Sequence, residues 1–166
     1  RIIIASSIAK QYRFNFIIEK CTELGVDRIV PLICEHTVKR PKNPNIVEKW
    51  QKKALESCKQ CKRNYLPIID EPIELGNAIK RLTSIYENLN LVYGSVEKTN
   101  ETAEKAFTGD IAVLVGPEAG FTDDEIHLLK EYNSFGLQLS QNILRIETAA
   151  VAFASVLAYQ RTSQNR

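Results

Sequence analysis

The sequence predicts an α/β fold: a mostly parallel sheet with helices on both faces. Three observations carry that expectation. Short apolar runs alternate with stretches of helical apolar periodicity along the chain. The most apolar run, Ile111-Ala-Val-Leu-Val115, has the length and composition of a strand buried on both faces. Glycines at Gly94, Gly116 and Gly120 fall just after such runs, where open α/β sheets place their ligands.

Taken in order, Arg1-Ile-Ile-Ile-Ala5 reads as a strand. Residues 12–24 carry Phe14, Ile17, Ile18, Cys21 and Leu24 on one helical stripe, and Gly25 stops the helix. Residues 28–34 read as a buried strand in which Pro31 suggests an edge or a kink. Residues 37–45 hold two prolines and three basic residues and form a loop. A helix over 46–61 turns Val47, Trp50, Ala54, Leu55 and Cys58 inward. A strand over 65–69, a short helix over 73–82 and a strand over 89–93 ending at Gly94 follow. A weak helix near 102–107 leads into the strand 111–115. The helix 123–132, a strand near 135–139 and a helix over 147–159 complete the series. The small residues on several faces of that last helix imply close neighbours on more than one side, within the domain or at a subunit interface.

The chain has 166 residues, enough for one domain, and neither repeats nor linkers break it. At 44% hydrophobic and 25% charged residues it is ordinary for a folded soluble protein, and a net charge of +2 alone does not argue for nucleic acid. No apolar run approaches the ~20 residues that span a bilayer, so a cytoplasmic protein is expected. Cys58-Lys-Gln-Cys61 lies near a helix end, where the dipole does not favour thiolate, and no second ligand pair follows. Reduced, structural cysteines and no metal are therefore expected.

Two segments are chemically unusual. Gly116-Pro-Glu-Ala-Gly-Phe121 follows the buried strand directly, and its glycines allow a ligand close to the main chain. Thr122 with Glu125 forms a capping box, with Phe121 and Ile126 placed for a hydrophobic staple. The spacing is neither a Rossmann fingerprint nor a phosphate loop, so alone it reads as a βα turn. In Leu139-Ser-Gln-Asn-Ile-Leu-Arg-Ile-Glu-Thr-Ala149, Glu147 suits a helix N-terminus or a functional role. Arg145 gains nothing from the dipole there, so it is expected to face an acidic partner or an anionic ligand.

At these segments the chain resembles the bacterial 16S ribosomal RNA uridine N3-methyltransferases of the SPOUT superfamily. The resemblance rests on Gly116-Pro-Glu-Ala-Gly-Phe121 followed by Leu144-Arg-Ile-Glu-Thr-Ala149. It extends to Glu19-Lys-Cys-Thr-Glu-Leu-Gly25, Ile29-Val-Pro-Leu-Ile33, Trp50-Gln-Lys-Lys-Ala54 and Arg63-Asn64. It implies an α/β domain over residues 1–166 with a C-terminal deep trefoil knot, which ordinary connection rules would not predict. An N-terminal PUA-like RNA-binding domain, usual in the family, has no counterpart in these residues. Together with a first residue other than Met, this reads as a fragment of a longer protein.

The resemblance also implies S-adenosylmethionine as cofactor, small-subunit ribosomal RNA as substrate and a homodimer. The methionine and ribose side of the cofactor would meet Gly94, Gly116 and Gly120, with Val115, Pro117 and Glu118 beside them. The adenine would meet main chain near Leu139, Ser140, Ile143 and Leu144. Arg145 is the candidate for stabilising the uridine N3 anion or holding the flipped base, with Glu147 orienting Arg145. Lys39, Arg40, Lys42 and Arg63 are candidates for RNA backbone contacts. The sequence departs from the family at Ala119 (usually glycine), Ser140-Gln-Asn142 (usually Gly-Pro-Arg) and Ile146 (usually threonine). A catalytically weakened RNA-binding module of the same fold is the alternative, and an unrelated α/β nucleotide-binding enzyme a third reading.

Overall fold

Parallel pairing organises the described part of the chain, residues 1–38, 40–41, 43–97 and 109–164 of a computed structural model. In chain order the elements are β1 (Ile2–Ser7), α1 (Gln11–Glu23), β2 (Arg28–Ile33), α2 (Ile46–Cys61), β3 (Ile68–Ile69) and β4 (Ile73–Glu74). There follow α3 (Leu75–Ile85), β5 (Asn90–Gly94), β6 (Ile111–Val115), α4 (Asp123–Glu131), β7 (Phe135–Leu137) and α5 (Ile146–Gln164). The sheet order is β3-β2-β1-β6-β5-β7, with β4 also on β2, and every pairing is parallel.

Alternation along the strands builds the two faces. Ile2 and Ile4 of β1, with Ile111, Val113 and Val115 of β6, pack with Phe14, Ile17 and Ile18 of α1, Trp50 of α2 and Phe153 of α5. Ile3 and Ala5, with Ala112 and Leu114, pack against Leu75, Ile79 and Leu82 of α3 and Leu129 of α4. The expected α/β fold, with a buried parallel sheet and helices on both faces, is present. The helix predicted at 102–107 lies outside the described residues.

Several boundaries differ from expectation, each for a physical reason. Pro31 is not in an edge strand, since β2 pairs with β1 on one side and with β3 and β4 on the other. Ile29 O accepts from Asp70 N at 3.0 Å, so Pro31 turns its missing N–H to the same side. That side is where the neighbouring strand breaks, since β3 pairs through Ile29 and β4 only from Leu32. The strand predicted from Tyr65 shrinks to Ile68–Ile69, and Tyr65 and Leu66 lie exposed ahead of Pro67. On α2 the inward stripe is Val47, Trp50, Ala54, Ser57 and Cys58, whereas Leu55 is 41% exposed, one step round the helix. The last strand stops at Leu137, which frees Gln138 onward to form a loop.

At the start of β2, Arg28 forms a two-armed pair with Asp70, Nε to Oδ2 at 3.0 Å and Nη2 to Oδ1 at 3.0 Å. Its Nη1 donates to the Tyr86 hydroxyl at 3.1 Å. Burial alone would lower the guanidinium pKa, but the bonds to Asp70 and Tyr86 hold it above its ordinary value. All four cysteines are free. Burial pushes the Cys21 thiol up to about 12.

Candidate functional site

A cleft opens at the carboxyl ends of β5, β6 and β7, walled by the two unusual segments. From the β5 and β6 side come Gly94, Val115, Gly116, Pro117, Glu118 and Gly120. From the loop between β7 and α5 come Leu139, Ser140, Ile143 and Leu144. All ten candidate cofactor contacts thus border one space, although they span about fifty residues of chain. Asn142, one of the departures from the family pattern, also lines it.

The loop at 116–121 is held from three directions. The expected capping box forms: Glu125 N donates to Thr122 Oγ1 at 3.3 Å and Thr122 N to Glu125 Oε2 at 2.9 Å. The other oxygen of Glu125 accepts from Glu35 N at 2.9 Å, and His36 Nδ1 lies 3.4 Å from Gly120 O. The loop after β2 therefore braces the cleft from outside. Phe121 folds back over Gly116, where a Cβ would lie 3.1 Å from its ring, and meets Tyr93 edge-on at 6.4 Å between centroids. Gly120 has φ +79°, a conformation that L residues rarely adopt, with open space where a Cβ would stand.

Charge at the mouth is arranged differently from expectation. Glu147 makes no contact with Arg145 among the described residues. Its Oε1 instead meets Arg13 Nε at 3.5 Å, and Arg13 Nη1 also reaches Glu118 Oε1 at 3.4 Å. Arg13 accordingly ties both cleft segments to the first turn of α1. The bond to the Tyr12 hydroxyl, then Glu147 and Glu118, keeps its guanidinium pKa above the ordinary value despite partial desolvation. The Arg145 side chain is exposed and meets no acidic partner among the described residues. Only its carbonyl is engaged, accepting from Ala149 N at 2.8 Å to start α5. Neither Arg145 nor Glu147 lines the cleft itself.

Sequence reasoning missed two residues. Phe153, the one aromatic in the first three turns of α5, walls the cleft, and its ring stands 3.3 Å from where a Gly94 Cβ would lie. A lone ring among alanines was a usable signal. Arg13 carried none, because its partners lie 105 and 134 residues away. Of the proposed RNA contacts, Lys39 and Lys42 lie outside the described residues, and Arg40 is exposed beside Glu74 at 3.4 Å. Arg63 is instead structural: it donates to Thr22 O at 3.0 Å, lies 3.8 Å from Asp27 and is largely covered.

The model of the RNA methyltransferase domain family matches residues 1–158. The chain belongs to that family. Among curated relatives of this RNA methyltransferase domain, ribosomal RNA small subunit methyltransferase E of Rickettsia conorii is 35% identical over 153 residues. That match covers 89% of this chain and 60% of the relative, so the chain spans about three fifths of that relative's length. A methyltransferase of Legionella pneumophila, solved with bound cofactor SAM, is 31% identical with a TM-score of 0.85, covering 96% of this chain and 66% of that one. The ribosomal RNA small subunit methyltransferase E of Neisseria gonorrhoeae, solved bound to S-adenosyl methionine, is 26% identical with a TM-score of 0.84 over the same shares. The fold class is that of the SPOUT methyltransferases.

Proposed function

We propose that this domain transfers a methyl group from S-adenosylmethionine to N3 of a uridine in small-subunit ribosomal RNA. The observation that carries the reading is the convergence of both motif segments on one cleft at the carboxyl strand ends, in a chain of the RNA methyltransferase family. The names of the Rickettsia and Neisseria relatives support the RNA class, and the N3 position comes from the motif resemblance.

The cleft suits the cofactor on its own geometry. Gly94 and Gly116 sit where a Cβ would crowd Phe153 and Phe121, so main chain borders the space directly. The backbone polar groups of Leu139, Ile143 and Leu144 form no hydrogen bond among the described residues, which leaves them for the edge of an adenine. Val115, Leu137 and Phe153 supply the apolar wall. The departure at Ser140-Gln-Asn142 keeps its own local order, with Asn142 N donating to Ser140 Oγ at 3.1 Å.

When bound, the cofactor supplies an activated methyl group on a sulfonium. The chain's part is to align the base in line with it and to stabilise the imide anion left when N3 loses its proton. Arg145, exposed at the start of α5 with its guanidinium uncommitted among the described residues, takes that role. Arg13 holds Glu118 and Glu147 so that the two cleft segments keep their spacing. The reading also includes the C-terminal knot, cytoplasmic action and a homodimer packed on the outer face of α5. Tyr159 is exposed on that helix. No helix among the described residues is long and apolar enough to cross a membrane.

The test is incubation of the protein with S-adenosylmethionine and undermethylated small ribosomal subunits, followed by nucleoside mass spectrometry. 3-Methyluridine is expected. Methylation at another base atom would refute the N3 assignment, and absence of any methylated nucleoside would refute the activity.

A further inference from the structure

A second cavity, of about 210 Å³, lies between the first turn of α1, the residues Arg40, Pro41, Asn43 and Ile46, and α2. It is several times the ~30 Å³ of one water, so it admits a group of nucleobase size. Ile8, Phe14 and Ile46 line it with apolar surface, and Arg40 and Lys49 stand at it with positive charge. Trp50 also lines it, and is 2% exposed. The Trp50 Nε1 itself is buried, so the indole meets the space through its ring. Lys49 is exposed and makes no ion pair among the described residues, while Arg40 has only the exposed contact with Glu74.

Helix α1 and the loop after β2 connect this cavity to the residues that brace the cofactor cleft. Gln11 and Phe14 of α1 border it, whereas Arg13 between them reaches Glu118 at the cleft. Arg40 and Pro41 border it, whereas Glu35 and His36, earlier in the same loop, brace Glu125 and Gly120. A polynucleotide strand with one residue held here would therefore pass α1 on its way to the cleft.

We propose that this cavity receives one nucleotide of the RNA substrate. The base enters over the apolar walls beside the Trp50 ring, and the phosphate rests on Lys49 and Arg40. The proposal rests on the RNA-methyltransferase reading and adds a binding site outside the cofactor cleft.

Trp50 is the chain's one tryptophan and so reports on the cavity directly. Titration with uridine 5′-monophosphate is expected to change Trp50 emission saturably, with inorganic phosphate at least about tenfold weaker, a difference near 1.4 kcal/mol. Calorimetry is expected to show Lys49→Ala and Arg40→Ala each weakening the nucleotide by roughly tenfold. Both side chains are exposed, so each variant reads binding in a folded protein. No saturable emission change would overturn the proposal, as would an equal response to phosphate or parental nucleotide affinity in both variants. Calorimetry with S-adenosylmethionine on the same samples separates the two readings: cofactor binding without nucleotide binding overturns the cavity alone, and loss of both overturns the methyltransferase reading as well.

Discussion

Arg13 lies 3.5 Å from Glu147 and so joins the first turn of the first long helix to the first turn of the last. The same guanidinium reaches Glu118, and one side chain thereby sets the spacing between the two segments that wall the cleft. The Glu147 Oε2 is buried without a hydrogen-bond partner among the described residues, so this carboxylate depends on Arg13 for its compensation. Arg13→Ala should weaken S-adenosylmethionine binding by roughly tenfold to a hundredfold, the scale for a displaced site. Arg13→Lys should recover part of the loss. Calorimetry on both variants checks this, and parental affinity in Arg13→Ala would show that the bridge does not position the cleft.

Gly116 and Gly120 should fail in different ways. A Cβ on Gly116 would lie 3.1 Å from the Phe121 ring, so Gly116→Ala must displace the loop and lower cofactor affinity by about tenfold. A Cβ on Gly120 meets open space, but φ +79° strains any L residue, so Gly120→Ala should cost about 1–2 kcal/mol of stability. Thermal melting and calorimetry on the pair separate loop crowding from backbone strain.

Arg145→Ala should act on turnover alone. The side chain is exposed and has no partner among the described residues, so its loss should leave the melting temperature unchanged. Production of 3-methyluridine should fall by about a hundredfold in kcat, as when one group stabilising transition-state charge is removed. An unchanged rate would remove Arg145 from the mechanism.

Asp70→Ala would leave the Arg28 charge buried against Tyr86 with no counter-ion. The expected destabilisation is about 3–5 kcal/mol by urea unfolding. Because the pair lies at the opposite sheet end from the cleft, any surviving folded protein should bind cofactor with parental affinity.

Alkaline pH should unfold the protein through its buried thiols. Burial raises Cys21 from 9.0 to about 12, and burial followed by Glu125 does the same to Cys34. A pKa raised on folding stabilises fully below the unfolded value and is lost as pH climbs through the folded one. Stability should therefore fall between pH 9 and about 12 on account of these two groups. A Cys21→Ala, Cys34→Ala double variant should show a shallower decline in melting temperature across that window.

Local patterning made the layers legible. The stripe Phe14, Ile17, Ile18 and Cys21 is buried as its spacing requires, and the capping box at Thr122 and Glu125 forms as its residue types dictate. The cleft was legible for the same reason, since Gly94, Gly116 and Leu139 mark strand ends that parallel pairing brings to one side. What could not be read were relations set only by tertiary packing. Arg13 finds Glu118 and Glu147 across most of the chain length, and Arg63 is consumed by Thr22 and Asp27 rather than left at the surface. Pro31 suggested an edge because its pattern is local, whereas the break between β3 and β4 that accommodates it lies about forty residues on.

The central claim is that the space between Gly116–Gly120 and Leu139–Leu144 is a cofactor site, and calorimetric titration with S-adenosylmethionine tests it most directly. Saturable one-to-one binding in the protein, weakened about tenfold in Gly116→Ala, is the predicted result. Absence of binding at millimolar S-adenosylmethionine, or equal affinity in Gly116→Ala, would contradict it.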